Sequence, residues 1–217
     1  MPGKNLAPLA GMSLVRRAAL CARESGVCDR LVLSSEDPAL MAEGRAAGLE
    51  VPFQRPAELA GDTVAMIDVV LHALDAFERS GYAPDAVMLL QPTSPLRRPE
   101  HLRRAVALLP GNDAVCSVVP LPREHCPHYV MRIDDSGHLD FFLPEAAQYT
   151  RRQDVPQAYR RDGTVYLTRT EVLRGQRTFY GPKCAALVLD PADSLTVDSP
   201  GDWAEAERRL GASQVAL

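Results

Sequence analysis

The sequence predicts an α/β fold built on a mostly parallel sheet. Three observations carry this. Short apolar runs recur along the chain, at Arg30–Ser34, Ala86–Leu90, Ala114–Val119 and Ala186–Leu189. Between them lie longer stretches with helical spacing, such as Ile67, Val70, Leu71, Leu74 and Phe77. Strand, helix and strand at this spacing close as a right-handed parallel crossover.

Composition sets the outer bounds. At 217 residues the chain suits one domain, 1–217. Hydrophobic residues make up 46% and charged residues 24%, ordinary values for a packed core. The net charge of −4 gives no broad basic surface, which argues against a nucleic-acid partner. No apolar run approaches the ~20 residues of a membrane span, and no signal segment opens the chain. Cys21, Cys28, Cys116, Cys126 and Cys184 are odd in number and lack C-x-x-C spacing, so they read as reduced thiols in a cytoplasmic protein.

The elements follow in order. Ser13 caps a helix with Leu14, Ala18 and Cys21 on one face and Gly26 past its end. Arg30–Ser34 is a short buried strand. Asp37-Pro38 opens a second helix, with Asp at the N-cap and Pro in the first turn, closing near Gly48. Residues 50–56 are extended and bounded by prolines. Arg55 there is either a solvated loop arginine or a phosphate or base contact. Asp62 or Thr63 caps a long helix to Ser80, with Gly81 as its stop. Asp62 is a plain cap or, with Thr63 and Asp68, part of a helix start that faces a ligand phosphate. Pro99 begins a further helix, with Leu102, Val106 and Leu109 inward and Pro110-Gly111 ending it.

The pattern loosens from Pro120 to about Arg161. Two short strands joined by a turn at Asp135-Ser136-Gly137 make a hairpin there. This excursion, about 121–161, is placed for a lid or a subunit contact. Glu124, His125, Cys126 and His128 invite a metal reading, but their spacing matches no usual zinc pattern. Residues 149–159, YTRRQDVPQAY, are polar, basic and Pro-kinked, so they are no core strand. Arg151 and Arg152 carry planar forks suited to a carboxylate, and Gln153 can pair with an amide or hydroxyl. A solvated basic loop is the alternative. Asp190-Pro191 turns the chain after the last strand. Residues 194–200 then lead to a final helix carrying Trp203 and Ala206.

The chemistry concentrates after Ala86–Leu90. Gln91-Pro92-Thr93-Ser94-Pro95 stops that strand, since Pro cannot donate to a sheet ladder. The strand tip then holds an amide, two hydroxyls and the guanidinium of Arg97. Ligands of open α/β sheets sit at this end of the strands. The set suits a nucleobase edge and a sugar, or else a capped loop before the next helix.

The run LLQPTSPLR resembles the signature of the CMP-N-acylneuraminate synthetase family. So do PGKN at 2–5, FQRPAELAGDT at 53–63, RRQDVPQAY at 151–159 and TVDSPGDW at 196–203. The resemblance covers nearly the whole chain. It implies a three-layer, Rossmann-like nucleotidyltransferase fold of the glycosyltransferase-A type, with a mostly parallel sheet and the hairpin lid. It implies CMP transfer from CTP to an acidic nine-carbon sugar in a homodimer, with Mg²⁺ as cofactor. An eight-carbon ketodeoxy acid, or another nonulosonic acid of the pseudaminic or legionaminic type, is the alternative acceptor, and a catalytically silent homologue is the alternative role.

By the same resemblance Lys4, Asn5 and Arg55 grip the nucleotide, with Gln91 and Ser94 orienting base, sugar or acceptor. Arg97, Arg152, Gln153 and Tyr159 face the sugar substrate. Asp198 holds the metal. Lys4, Arg55 and Asp198 form the catalytic set. The family usually offers two alternating carboxylates to the cation, and here Thr196 takes the place of the first. Asp162 stands where the family usually has Asn. In the family PGKN follows a central strand and a glycine- and basic-rich phosphate loop. Their absence predicts two unpaired inner strand edges and favours reading Met1 as an internal methionine over a truncated chain.

Overall fold

The computed structural model describes residues 1–61 and 63–215. The chain opens with a small hairpin, β1 (Pro8–Leu9) and β2 (Met12–Ser13), turning at Ala10 and Gly11 with φ of 47° and 78°. Helices α1 (Leu14–Ser25) and α2 (Pro38–Ala46) follow. The Ser13 side chain accepts from the Arg16 N–H, and Gly26 ends α1 in the left-handed region. Asp37 caps α2 by accepting from the Ala39 N–H.

The strand expected at Arg30–Ser34 forms only one parallel bridge, Val32 to Glu50. Two hydrogen bonds make it, Leu33 N–H to Glu50 O and Glu50 N–H to Leu31 O. A run bonded along one side over so few residues does not extend into a ladder. Next come α3 (Met66–Arg79), β3 (Ala86–Leu89), α4 (Pro99–Leu108) and β4 (Ala114–Pro120). Helix α3 starts later than expected, with Ala65 at its N-cap and no side-chain cap, so Thr63 does not cap it. Asp62 lies outside the described residues.

The excursion carries the hairpin β5 (Met131–Ile133) and β6 (Leu139–Phe141). It is followed by β7 (Tyr159–Arg169), α5 (Thr170–Gln176), β8 (Cys184–Val188) and α6 (Pro200–Val215). The main sheet has the order β3-β7-β4-β8. Strands β4 and β8 pair in parallel, but β7 is antiparallel to both neighbours. The sheet is therefore mixed, not mostly parallel. The excursion leaves from the end of β4 and returns to the same end, with Pro120 opposite Tyr159, so the chain must run back down as β7. The last residues of the expected excursion, Tyr159–Arg161, are already in this strand.

Alternation along β3 sorts its side chains to two faces. Ala86 and Met88 pack on the cluster of Cys21, Ala22, Leu102 and Ala105 from α1 and α4. Val87 and Leu89 pack on the cluster of Val70, Leu74 and Leu173 from α3 and α5. The result is three layers, helix, sheet and helix. A third cluster joins Leu9 and Leu14 to Val197 and Ala206, which fastens the N-terminal hairpin to α6. No helix of the described residues is long and apolar enough to cross a membrane.

Candidate functional site

The tip of β3 is stitched to the segment before α6. The Val197 N–H donates to Thr93 O at 2.9 Å. Beside that stitch β7 bulges. Cys116 lies opposite Tyr166, but Val118 lies opposite Arg161, so Asp162–Val165 face Ser117 alone. Ser117 Oγ holds the bulge by donating to Val165 O and accepting from Val165 N–H, at 3.1 and 2.8 Å. Bulges re-aim the residues they carry.

Here the bulge turns Gly163, at φ 79°, toward the strand tips. A Cβ at that position would stand 3.3 Å from Gln91 Oε1, 3.6 Å from Ser94 Oγ and 4.0 Å from Thr196 Oγ1. Glycine thus leaves a cradle edged by an amide oxygen and two hydroxyls. Ser94 is buried and its Oγ has no hydrogen-bond partner. Such an orphan is an opening for a ligand or an ordered water. Asp162 is buried below, accepting from Thr164 Oγ1 at 2.5 Å and Thr164 N–H at 3.2 Å. Its carbonyl accepts from Thr196 Oγ1 at 3.2 Å.

Lys4 and Asp198 meet at the same end of the sheet. Lys4 Nζ donates to Asp198 Oδ1 and to Val197 O, both at 2.8 Å. Asp198 does not cap α6. Ser199 and Asp202 do so reciprocally, with Asp202 Oδ2 accepting from Ser199 N–H and Ser199 Oγ accepting from Asp202 N–H. The Asp198 side chain is left 70% exposed with Lys4 as its partner. The buried Leu9–Leu14–Val197–Ala206 contact explains how residues 194 apart in sequence come together. Asn5 sits beside Lys4 in the chain, and its Oδ1 is buried without a partner.

The other expected residues take separate places. Arg55 is ion-paired with Glu36, which also receives its Nε–H at 2.9 Å. Arg97 is buried, not turned to the surface: Nε–H donates to Thr164 O at 2.7 Å and an Nη2 hydrogen to Gln91 O at 2.6 Å. Burial pulls its pKa down to about 10. It braces the Gln91 loop against β7 from below.

Arg152 and Gln153 lie in a single 3₁₀ turn of the excursion, with Arg152 4.0 Å from Glu124. Tyr159 is half exposed at the start of β7. Among the described residues no hydrogen bond or ion pair joins these three side chains to the Lys4–Asp198 pair. Cys126 Sγ lies 3.4 Å from His128 Nδ1, but the described residues contain no group of three or more candidate ligands for a metal.

Gly163 and Ser117 are not marked by the sequence reading, and Thr93 is marked there for its hydroxyl, not for the carbonyl that receives the Val197 N–H. The available signal was a glycine inside an otherwise strand-like run, which marks a bulge.

A family model described as Cytidylyltransferase matches residues 1–207. The chain belongs to this family. It is 32% identical over 224 residues to a CMP-N,N'-diacetyllegionaminic acid synthase of Legionella pneumophila, covering 100% of this chain and 93% of that protein. It is 26% identical over 201 residues to an N-acylneuraminate cytidylyltransferase of Escherichia coli, covering 92% of this chain but 46% of that longer protein. Among solved structures it superimposes on a CMP:2-keto-3-deoxy-manno-octonic acid synthetase complexed with CTP. That match has a TM-score of 0.70 at 15% identity and covers 98% of this chain and 93% of that one. The last likeness shows the fold alone.

Proposed function

We propose that this chain transfers a CMP unit from CTP to the anomeric hydroxyl of an acidic 2-keto nonulosonic sugar. The hydroxyl oxygen bonds to the α-phosphorus, the bond to the β,γ-pyrophosphate breaks, and the hydroxyl proton passes to water. The observation that carries this is the Lys4–Asp198 pair standing beside the Gln91–Ser94–Gly163 cradle at the strand tips. The relatives named for legionaminic and N-acylneuraminic acids support the acceptor class.

Alignment and charge stabilisation are the protein's work in such a transfer. Lys4, Asn5 and Arg55 hold the nucleotide. Gln91 and Ser94 orient base, sugar or acceptor in the cradle, and Arg97 keeps their loop in place. Arg152, Gln153 and Tyr159 engage the acceptor's carboxylate and acyl group from the excursion. Asp198 is the metal ligand. One exposed carboxylate, with Thr196 in place of a second, fits Mg²⁺ that arrives with the triphosphate and keeps several waters, not an all-protein cage. When bound, Mg²⁺ supplies neutralisation of phosphate charge. Lys4 already occupies Asp198 and must turn away to the phosphates.

The chain is a single catalytic domain, and the exposed Ile133, Leu139 and Phe142 of the excursion suit the contact of a homodimer. A catalytically silent sugar-nucleotide binder is the second reading, favoured by Thr196 and by the lysine resting on Asp198.

Pyrophosphate release from CTP and Mg²⁺, measured with N-acylneuraminic, legionaminic, pseudaminic and eight-carbon ketodeoxy acids, tests the proposal. Release with a nine-carbon acid is expected. Release only with the eight-carbon acid would move the acceptor class, and none with any acid would leave the silent reading.

A further inference from the structure

Lys4 stands where a cation would stand. Its ammonium donates to Asp198 Oδ1 and to Val197 O, both at 2.8 Å. A carboxylate and a main-chain carbonyl are the oxygen types that a hard divalent ion takes. The backbone that presents both is fixed. The Val197 N–H is bonded to Thr93 O, and the Asp198 N–H donates to Asp202 Oδ2 at 3.1 Å. Asp202 Oδ2 receives two further bonds from Ser199, so it is already spent on the cap. The Thr196 hydroxyl is turned to Asp162 O. Asp198 is thus the carboxylate that this end of the sheet can offer a cation, and a lysine sits on it.

The lysine side chain is built to move while its backbone is not. Gly3 O accepts from the N–H groups of Leu6 and Ala7 at 3.0 and 3.2 Å, and Asn5 O accepts from Val15 N–H at 3.3 Å. These bonds pin the turn around Lys4. The side chain itself is a flexible four-carbon stem carrying a point charge. Its pair with a carboxylate as exposed as Asp198 is weak in water. A triphosphate, with several negative charges, can therefore take the ammonium at small cost. A lone divalent ion has no such inducement to offer. It must displace the ammonium or sit beside a like charge.

We propose that Lys4 is a charge gate, which keeps a divalent cation off Asp198 until a nucleoside triphosphate arrives. The proposal rests on the reading of the strand tips as a CTP site. The triphosphate draws the Lys4 ammonium onto its own oxygens, and the same movement frees Asp198 Oδ1 and Val197 O. Asp198 is then open to the cation only in the nucleotide-bound chain. One side chain so serves both ligands with opposite sign: it attracts the nucleotide and excludes the cation.

Mn²⁺ binding to the full chain without nucleotide, read by electron paramagnetic resonance of the free ion, tests this. Lys4→Met should bind Mn²⁺ about tenfold more tightly than wild type. Lys4→Gln should do the same and decides the matter where Lys4→Met does not fold. Adding Asp198→Asn should cancel the gain. CTP titrated calorimetrically in EDTA should show the opposite sign, with binding about tenfold weaker in Lys4→Met. The wild-type Lys4 Nζ resonance should shift with the midpoint of that titration. The proposal is overturned by equal Mn²⁺ affinity in wild type and both Lys4 variants, or by a gain that survives Asp198→Asn. It is equally overturned by a motionless Lys4 resonance at CTP saturation. No CTP binding by any form of the chain would instead overturn the CTP reading on which the gate rests, whatever the Mn²⁺ comparison gives.

Discussion

The strand-tip cluster and the excursion over 121–158 are built by opposite means. The cluster rests on a bulge pinned by Ser117, a buried arginine brace and an apolar contact between the two ends of the chain. The excursion rests on short-range polar contacts, such as Arg151 with Asp154 and Arg132 with Asp140, and leaves Ile133 72% exposed. Surface ion pairs of that kind contribute little to stability, so the excursion is the part free to adjust. The proposed function places nucleotide geometry in the rigid cluster and acceptor choice in the adjustable excursion, and the difference in construction says how each can be perturbed alone.

The largest effect should come from Asp198. Asp198→Ala should lower turnover by roughly a hundredfold or more, with the circular dichroism spectrum unchanged. Activity that persists would break the assignment of the cation to this residue. Leu9→Ala empties a fully buried position between β1 and α6. It should cost about 2–5 kcal/mol in a denaturant melt. It should also lower turnover by freeing Lys4, whereas a stability loss with full activity would show that the clamp does not position the lysine.

Gly163→Ala probes the cradle. The left-handed φ and the approach to Gln91 Oε1 should together cost about 1–3 kcal/mol and raise the KM for nucleotide or acceptor. An Ala variant with wild-type kinetics would show the cradle to be empty in catalysis.

These expectations depend on features that differ in how far they can be read from sequence. Most of the local ones are legible, the start of α3 excepted, where Ala65 stands at the N-cap. Ser13 with Gly26, Asp37 with Pro38, and Pro99 mark helix ends through contacts within a few residues. The helix faces follow from periodicity, and the hairpin turn from the turn residues Asp135-Ser136-Gly137. The direction of β7 was not legible, because Asp162 and Gly163 interrupt its apolar run and its partners lie far away in the chain. The inward turn of Arg97 was hidden for a similar reason. An arginine after a strand tip reads as a ligand contact until the carbonyl of Thr164 is known to lie beneath it. Conversely, Lys4 and Asp198 are placed in one catalytic set with different roles, while neither their ion pair nor the apolar clasp that brings them together is legible.

A smaller effect is expected in the excursion. Arg152→Gln should raise the KM for the acid acceptor about tenfold with no change in melting temperature. A matching rise for CTP would erase the division between the two regions.

The smallest effect concerns the cap of α6. Hydrogen bonds from Ser199 and from the Asp198 N–H hold the Asp202 carboxyl below its ordinary pKa. Its contribution is therefore present above the unfolded value of about 3.9 and is lost as pH falls through the folded value. The melting-temperature gap between wild type and Asp202→Ala should be constant above about pH 5 and close below it. A gap independent of pH would mean that the cap's charge is irrelevant.

The most direct test is calorimetric titration of CTP with magnesium into the full chain and into Asp198→Ala and Arg152→Gln. One CTP site is expected, weakened at least about tenfold by Asp198→Ala and unchanged by Arg152→Gln. Equal affinity in wild type and Asp198→Ala would contradict a nucleotide seated at the strand tips.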